Sequence, residues 1–194
     1  GFNNRITRQF VKLEECLLMN SQINAVIADL QGKCEETTNL TVRNGVNTSE
    51  YLIQPTLQLA DTSLMSGQAY YKERLLNRIF RVSSPSFFQV NTTQTEAMIR
   101  KVLEALELCG DQTVIDAYAG VGTFSVLLAE SVGKVIAIEE SEAAVKDAAI
   151  NTLGIDNIEF RLGKTEEVIY SLETGPDAVV LDPSRIGCHP VVLE

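Results

Sequence analysis

No run of apolar residues approaches the roughly 18 needed to cross a bilayer, so no membrane partner is expected. The start of the chain lacks the basic, then apolar, then small-residue order of a secretory signal, which points to a cytoplasmic protein. Cys16, Cys34, Cys109 and Cys188 form no C-x-x-C pair and no metal-ligand spacing. Reduced thiols and no metal site follow as expectations. Internal repeats and low-complexity tracts are missing as well. N-x-[ST] triplets begin at Asn39, Asn47 and Asn91; without a secretory signal they read as chance matches. Gly1 stands where a Met would open a gene product, and the end resembles a helix start, so a piece cut from a longer chain is expected.

The 194 residues are 45% hydrophobic, enough for one domain, or one domain with a smaller partner. The net charge of −10 is unevenly spread. Residues 1–90 carry 9 Lys/Arg against 8 Asp/Glu, whereas residues 91–194 carry 7 against 18. An acidic second half does not by itself make a phosphate-binding surface.

Two regimes of patterning follow. In residues 1–90, "SQINAVIADLQ" reads as a helix capped by Ser21, with Ile23, Val26, Ile27 and Leu30 on one face. "NLTVRNGVNTSEYLI" reads as two strands around an Asn44-Gly45 turn. "AYYKERLLNRIFRVS" is extended and carries Lys72, Arg74, Arg78 and Arg81 between aromatics, either a solvated strand face or a local RNA-facing patch. From residue 91 helices alternate with strands. "TTQTEAMIRKVLEALELCG" opens with Thr93 and Glu96 placed as a capping box and stops at Gly110. Then come "TVIDAYAG" (strand), "TFSVLLAESV" (helix), "KVIAIEE" (strand), a helix capped by Ser141 and stopped by Gly154, "NIEFRLG" (strand), "TEEVIYSLE" (helix) and "DAVVLDP" (strand). This alternation predicts an α/β domain over 91–194 with four parallel strands and helices on both faces, preceded by a small α+β domain over 1–90. Four strands are few for such a sheet, and truncation at the C-terminus is expected.

Ligands of open α/β sheets bind beyond the carboxyl ends of the strands. Four features fall there. In "DAYAGVGTF", Gly120 and Gly122 permit a sharp turn and a close backbone approach. A tight turn without a ligand has the same look, and Ser125 at the third Gly position breaks the dinucleotide fingerprint. Asp116 and Tyr118 strengthen the ligand reading, Tyr118 by offering a face to a nucleoside or a sulfonium cation. Glu139 ends the next strand, where a carboxylate accepts both hydroxyls of a ribose; with Glu140 it also fits a solvated acidic corner. Asp182 and Pro183 close the fourth strand, facing a reacting centre or forming a simple turn. "SPSFFQVN" is either core with a polar edge or a site in which Gln89 bonds an amino acid-like ligand or a base.

"SFFQVNTTQTEAM", "DAYAGVGTFSVLLAE", "VIAIEESEAAVKDAAINTLGIDNIEF" and "LDPSRIG" follow one another in the order and spacing of the RNA uracil-C5-methyltransferases. The chain resembles that family strongly from about residue 84 to 194 and weakly before it. The resemblance implies a Rossmann-like class I methyltransferase core, S-adenosylmethionine as cofactor, and transfer of its methyl group to C5 of a uridine in rRNA or tRNA. Carried over by position, it implies that Gln89 touches the methionine part of the cofactor. Tyr118, Gly120, Gly122 and Thr123 would line its cleft, Glu139 would hold the ribose, and Asp182 would stand near cofactor and target base. Lys164 matches a further cofactor-side position of variable residue type.

The family's D-P-P-R is here D-P-S-R, with Ser184 in third place. Arg185 stands where amino-group methyltransferases carry an aromatic, which argues against them. The reaction needs a cysteine thiolate to add to C6 of uracil and a base to take the C5 proton. In the family both lie further along the chain, so no catalytic residue is expected before Glu194, and the isolated chain is expected to be inactive. Cys188 matches a non-catalytic position, and His189 is not read as its base. A cysteine at the place of Cys16 completes an iron–sulfur ligand set in cluster-containing members. Its companions would lie upstream of Gly1, so a cluster belongs only to a full-length parent and Cys16 reads as a structural thiol. RNA is the expected partner of the full-length protein, together with flanking domains of the same chain and a base flipped out of its stack. Competing readings are another class I methyltransferase acting on a protein or small molecule, a non-catalytic cofactor-binding module, and, more distantly, a nicotinamide dehydrogenase.

Overall fold

A computed structural model describes residues 2–34, 37–58, 62–172 and 175–193. The chain divides into two compact units, Gly1–Tyr71 and Lys72–Glu194.

In the first unit a short antiparallel pair, β1 (Phe2–Asn3) and β2 (Phe10–Val11), precedes helix α1 (Ser21–Leu30). Asn20, not Ser21, caps α1: its side-chain oxygen accepts the Ile23 N–H at 2.8 Å. The Asn20 amide also donates to Asn44 at 2.9 Å, and this second bond is what favours Asn20 over its neighbour. Strands β3 (Thr41–Asn44) and β4 (Tyr51–Gln54) pair antiparallel. Asn44-Gly45 is not a two-residue turn. The connection runs over residues 45–50 and is closed by the Gly45 N–H on the Glu50 carbonyl at 2.7 Å. Val26 and Leu30 of α1 bury against Ile53 and Leu57, with Cys34 at the margin of this cluster.

Strand β5 (Tyr70–Leu75) runs across the division and pairs with β6 (Arg78–Ser83). Its residues alternate exposed and buried, as a strand with one solvated face does. β6 packs on a helix of the second unit, so this hairpin's strand belongs with the residues after 90, whereas the change of period in the sequence puts the boundary at 90. Two side chains of α4 (Glu142–Asn151) hold it. Buried Asp147 accepts the Ser83 N–H, the Ser83 hydroxyl and the Ser86 hydroxyl, at 2.7, 2.6 and 2.7 Å, and faces Arg81 Nε at 3.4 Å. Asn151 exchanges hydrogen bonds with the Arg81 backbone and donates to the Val121 carbonyl at 2.9 Å.

Helix α2 (Thr92–Leu106) is capped by Asn91, whose side chain accepts the Gln94 N–H. The Thr93–Glu96 capping box does not form: Thr93 lies inside the helix, and Glu96 accepts the Leu76 N–H at the tip of the β5–β6 hairpin. The helix ends at Leu106, with Glu107 at φ 47°, before the expected stop at Gly110.

The alternating pattern then folds as read. β7 (Thr113–Asp116), α3 (Thr123–Leu128), β8 (Lys134–Glu139), α4, β9 (Ile158–Leu162), α5 (Thr165–Val168) and β10 (Ala178–Val180) follow in turn. Ser141 caps α4 as expected, and α5 is only one turn, prolonged by a 3-10 turn over Ile169–Ser171. The four strands form one parallel sheet in the order β10-β7-β8-β9. Strand β10 stops at Val180, so Asp182 lies two residues beyond it rather than at its last position. Val114, Ile115, Ile136 and Ile138 are buried between the layers, the continuous apolar run of a strand covered on both faces. Among the described residues no helix is long and apolar enough to cross a membrane.

Candidate functional site

The strand order places a switch point between β7 and β10. From β7 the chain winds through β8 to β9, then returns across β7 to lay down β10. Connections leave the two sides of that point in opposite directions, and the carboxyl ends of β7 and β10 are where such a sheet opens to a ligand.

Asp116 ends β7 there and is wholly buried. The Ser125 hydroxyl donates to its Oδ2 at 2.6 Å, while buried Oδ1 has no hydrogen-bond partner. Burial pushes its pKa up to about 6; the Ser125 hydroxyl and backbone amide pull it down, and the charges of Asp182 and Glu139 raise it further. In the sequence Asp116 strengthens the ligand reading of the glycine turn without an assigned contact, and Ser125 is only a break in a glycine pattern. That break supplies the hydroxyl that holds the acid.

Gln89, before α2, donates from Nε2 to Asp182 Oδ2 at 2.9 Å, across a sequence separation of 93. The FFQVN segment is set by its middle. Phe88 is buried with its ring centroid 6.0 Å from that of Phe80, while Phe87 and Val90 are exposed. Phe88 is therefore the core residue of this segment, and Gln89 beside it is the polar edge, its amide directed to Asp182.

The glycine bend lies between β7 and α3. Gly122 caps α3 at φ 83°, a conformation that disfavours a side chain, and a Cβ there would meet the Phe160 ring at 3.4 Å. At Gly120 a Cβ would meet nothing within 4 Å, so the backbone here borders open space. The Gly120 N–H donates to Glu139 Oε2 at 2.8 Å, and the Ser141 N–H donates to Oε1 at 2.8 Å. Glu139 is thus fixed by backbone, and each oxygen retains a further lone pair for a ligand hydroxyl. Thr123 opens α3, half-buried. Tyr118 packs against the cluster of Ile115, Ala117, Ile136 and Ile138. Burial, then the Cys188 thiol beside its hydroxyl, hold its pKa above the ordinary phenol value. Lys164 is exposed just before α5.

Asp116, Glu139, Asp182 and Gln89 therefore meet at one end of the sheet: two are joined by a hydrogen bond, and Asp116 feels the charge of two others. The arrangement is acidic, with a fixed carboxylate, an amide and an open glycine backbone. It suits a ligand that offers hydroxyl donors and a positive charge.

A family model for the tRNA (uracil-5-)-methyltransferases matches residues 60–175. The chain belongs to this family. It is 37% identical over 136 residues to an uncharacterized RNA methyltransferase of Nostoc sp., covering 69% of this chain and 30% of that protein. It is 39% identical over 138 residues to one of Oceanobacillus iheyensis, covering 69% and 30%. The chain thus spans about 30% of the length of the curated relatives it matches. Among solved structures, the Pyrococcus abyssi tRNA (uracil-54, C5)-methyltransferase in complex with S-adenosyl-L-homocysteine superposes with a TM-score of 0.72 at 24% identity, over 95% of this chain and 57% of that one. The M. jannaschii tRNA m1G37 methyltransferase gives 0.53 at 14%, over 83% and 55%. The fold of this family member is the Rossmann-like class I methyltransferase fold.

Proposed function

We propose that the chain is the cofactor-holding part of an RNA uracil-C5-methyltransferase, which moves a methyl group from S-adenosylmethionine to a uridine of rRNA or tRNA. The observation that carries this is the convergence of Gln89, Asp182, Asp116 and Glu139 at the switch point. Family membership supplies the reaction class. When bound, the cofactor supplies an electrophilic methyl group. Glu139, held by two backbone amides, accepts ribose hydroxyls. Gly120 and Gly122 let the backbone pass close to the ligand, with Tyr118 and Thr123 beside them. Gln89 and Asp182 act as one hydrogen-bonded pair between the methionine end and the target base.

None of the four cysteines is assigned as the thiolate that adds to C6. Cys188 sits against the Tyr118 hydroxyl. Cys34 lies beside the α1 cluster, its thiol 3.6 Å from the Leu30 carbonyl. Asn24 clamps the backbone of Cys16 from both sides, at 2.9 and 3.0 Å. Cys109 is exposed beyond α2. We assign the thiolate and the base to parts of the protein outside residues 1–194.

Lys72 and Arg74 lie on the exposed face of β5, while Arg78 pairs with Glu130 and Arg81 with Asp147. The charge of this β5 face suits RNA. Calorimetric titration tests the reading: the chain binds S-adenosylmethionine and transfers no methyl group to RNA. Absence of binding overturns the cofactor role, and turnover by this chain overturns the assignment of the thiolate elsewhere.

A further inference from the structure

We propose that Asp116 is a specificity-determining residue for the charge of the cofactor: in mildly acid solution its carboxyl carries a proton in the free protein and releases it to solvent when a sulfonium nucleoside lodges at the switch point. The inference deepens the cofactor reading and rests on it.

The three carboxyl groups that meet here are not equally provided for. Glu139 receives one backbone N–H on each oxygen. Asp182 receives the Gln89 amide. Asp116 has a donor, from Ser125, on Oδ2 alone, and Oδ1 is buried without one. A buried carboxylate oxygen without a donor is costly, and the neutral acid avoids that cost. The charged groups facing Asp116 are Asp182, past the end of β10, and Glu139, at the end of β8, both negative; α3 brings only the Ser125 hydroxyl and amide. The carboxyl accordingly titrates at about 6.

A cation at this place removes the reason for the proton. The O–H bond of Asp116 breaks, the proton goes to the buffer, and the carboxylate left behind balances the sulfonium charge. The thioether product has one positive charge fewer and displaces the proton less. The site thereby holds the methyl donor more tightly than the spent product once Asp116 ionises.

Calorimetric titration of the chain with S-adenosylmethionine and with S-adenosylhomocysteine, at pH 5 and pH 7 in buffers of different ionisation enthalpy, tests this. Affinity for the sulfonium form rises about tenfold from pH 5 to pH 7, with proton release at pH 5, while the thioether gains less than about threefold. A pH-independent affinity for the sulfonium form, heats that do not depend on the buffer, or equal slopes for the two ligands overturn the proposal. Asp116→Asn keeps an acceptor for Ser125 and abolishes the slope; a slope retained in this variant overturns it. Ser125→Ala, which deletes the donor and leaves the acid, moves the midpoint to higher pH; an unmoved midpoint counts against it. Binding of neither ligand at any pH sinks the cofactor reading instead.

Discussion

Replacing Asp116 by Asn changes how stability depends on pH, and the direction follows from burial. The folded-state pKa is raised from 3.8 to about 6, so the group favours folding fully below pH 3.8 and loses that contribution as pH rises through 6. A tenfold change in an acid's dissociation constant is worth about 1.4 kcal/mol, so ionising this buried acid costs the folded chain about 3 kcal/mol at pH 8. At pH 4 most of that cost has vanished, and between pH 4 and pH 8 the group removes about 2 kcal/mol of stability. Asn does not titrate. The variant has a fixed deficit from its amide, which meets an environment shaped for a carboxyl, about 1–3 kcal/mol. The stability difference between wild type and Asp116→Asn therefore changes by about 2 kcal/mol in favour of the variant from pH 4 to pH 8. Urea unfolding at several pH values, followed by far-ultraviolet circular dichroism because the chain has no Trp, gives this difference directly. Parallel curves for the two proteins would show that Asp116 is ionised throughout, and the argument from burial would be refuted.

Asp147→Ala strips the acceptor from Ser83, Ser86 and Arg81 at once and is expected to cost about 3–5 kcal/mol, seen as a lowered unfolding midpoint and faster amide exchange in β6. Gly122→Ala forces a side chain into a left-handed residue, where its Cβ makes only ordinary contact with the Phe160 ring, with an expected loss of about 1–2 kcal/mol by thermal denaturation; an unchanged melting temperature contradicts the backbone account. Gln89→Ala removes the donor to Asp182 and should weaken S-adenosylmethionine binding about tenfold while costing under about 1 kcal/mol of stability, since the residue is only half-buried. A loss of stability as large as the loss of binding would make Gln89 structural rather than ligand-directed.

Much of the second unit was legible because its strands are short apolar runs meeting turns, and its helices have local stripes and caps. Ser141 caps α4 through a bond to Ala144, three residues away, which sequence spacing reveals. The caps expected at Ser21 and Thr93 do not form. In each case a distant partner takes part: Asn44 favours Asn20, and Glu96 accepts the Leu76 N–H. The β5–β6 hairpin shows the same limit. Its alternation is plain in the sequence, but its place beside α4 depends on Asp147 and Asn151, polar residues on a helix whose pattern says only that one face is apolar.

The order of strands and helices, the glycine bend and the carboxylates at strand ends are determined by the sequence itself, because each depends on neighbours within a few residues. Which carboxylate is starved of donors was decided only in three dimensions. Asp116, Glu139 and Asp182 look alike as letters at the ends of apolar runs. Folding gives Glu139 two amides and Asp182 a glutamine from 93 positions away, and leaves one oxygen of Asp116 with none. The state of a buried acid is set by the donors and charges that packing brings to it, and those come from segments that local spacing does not connect.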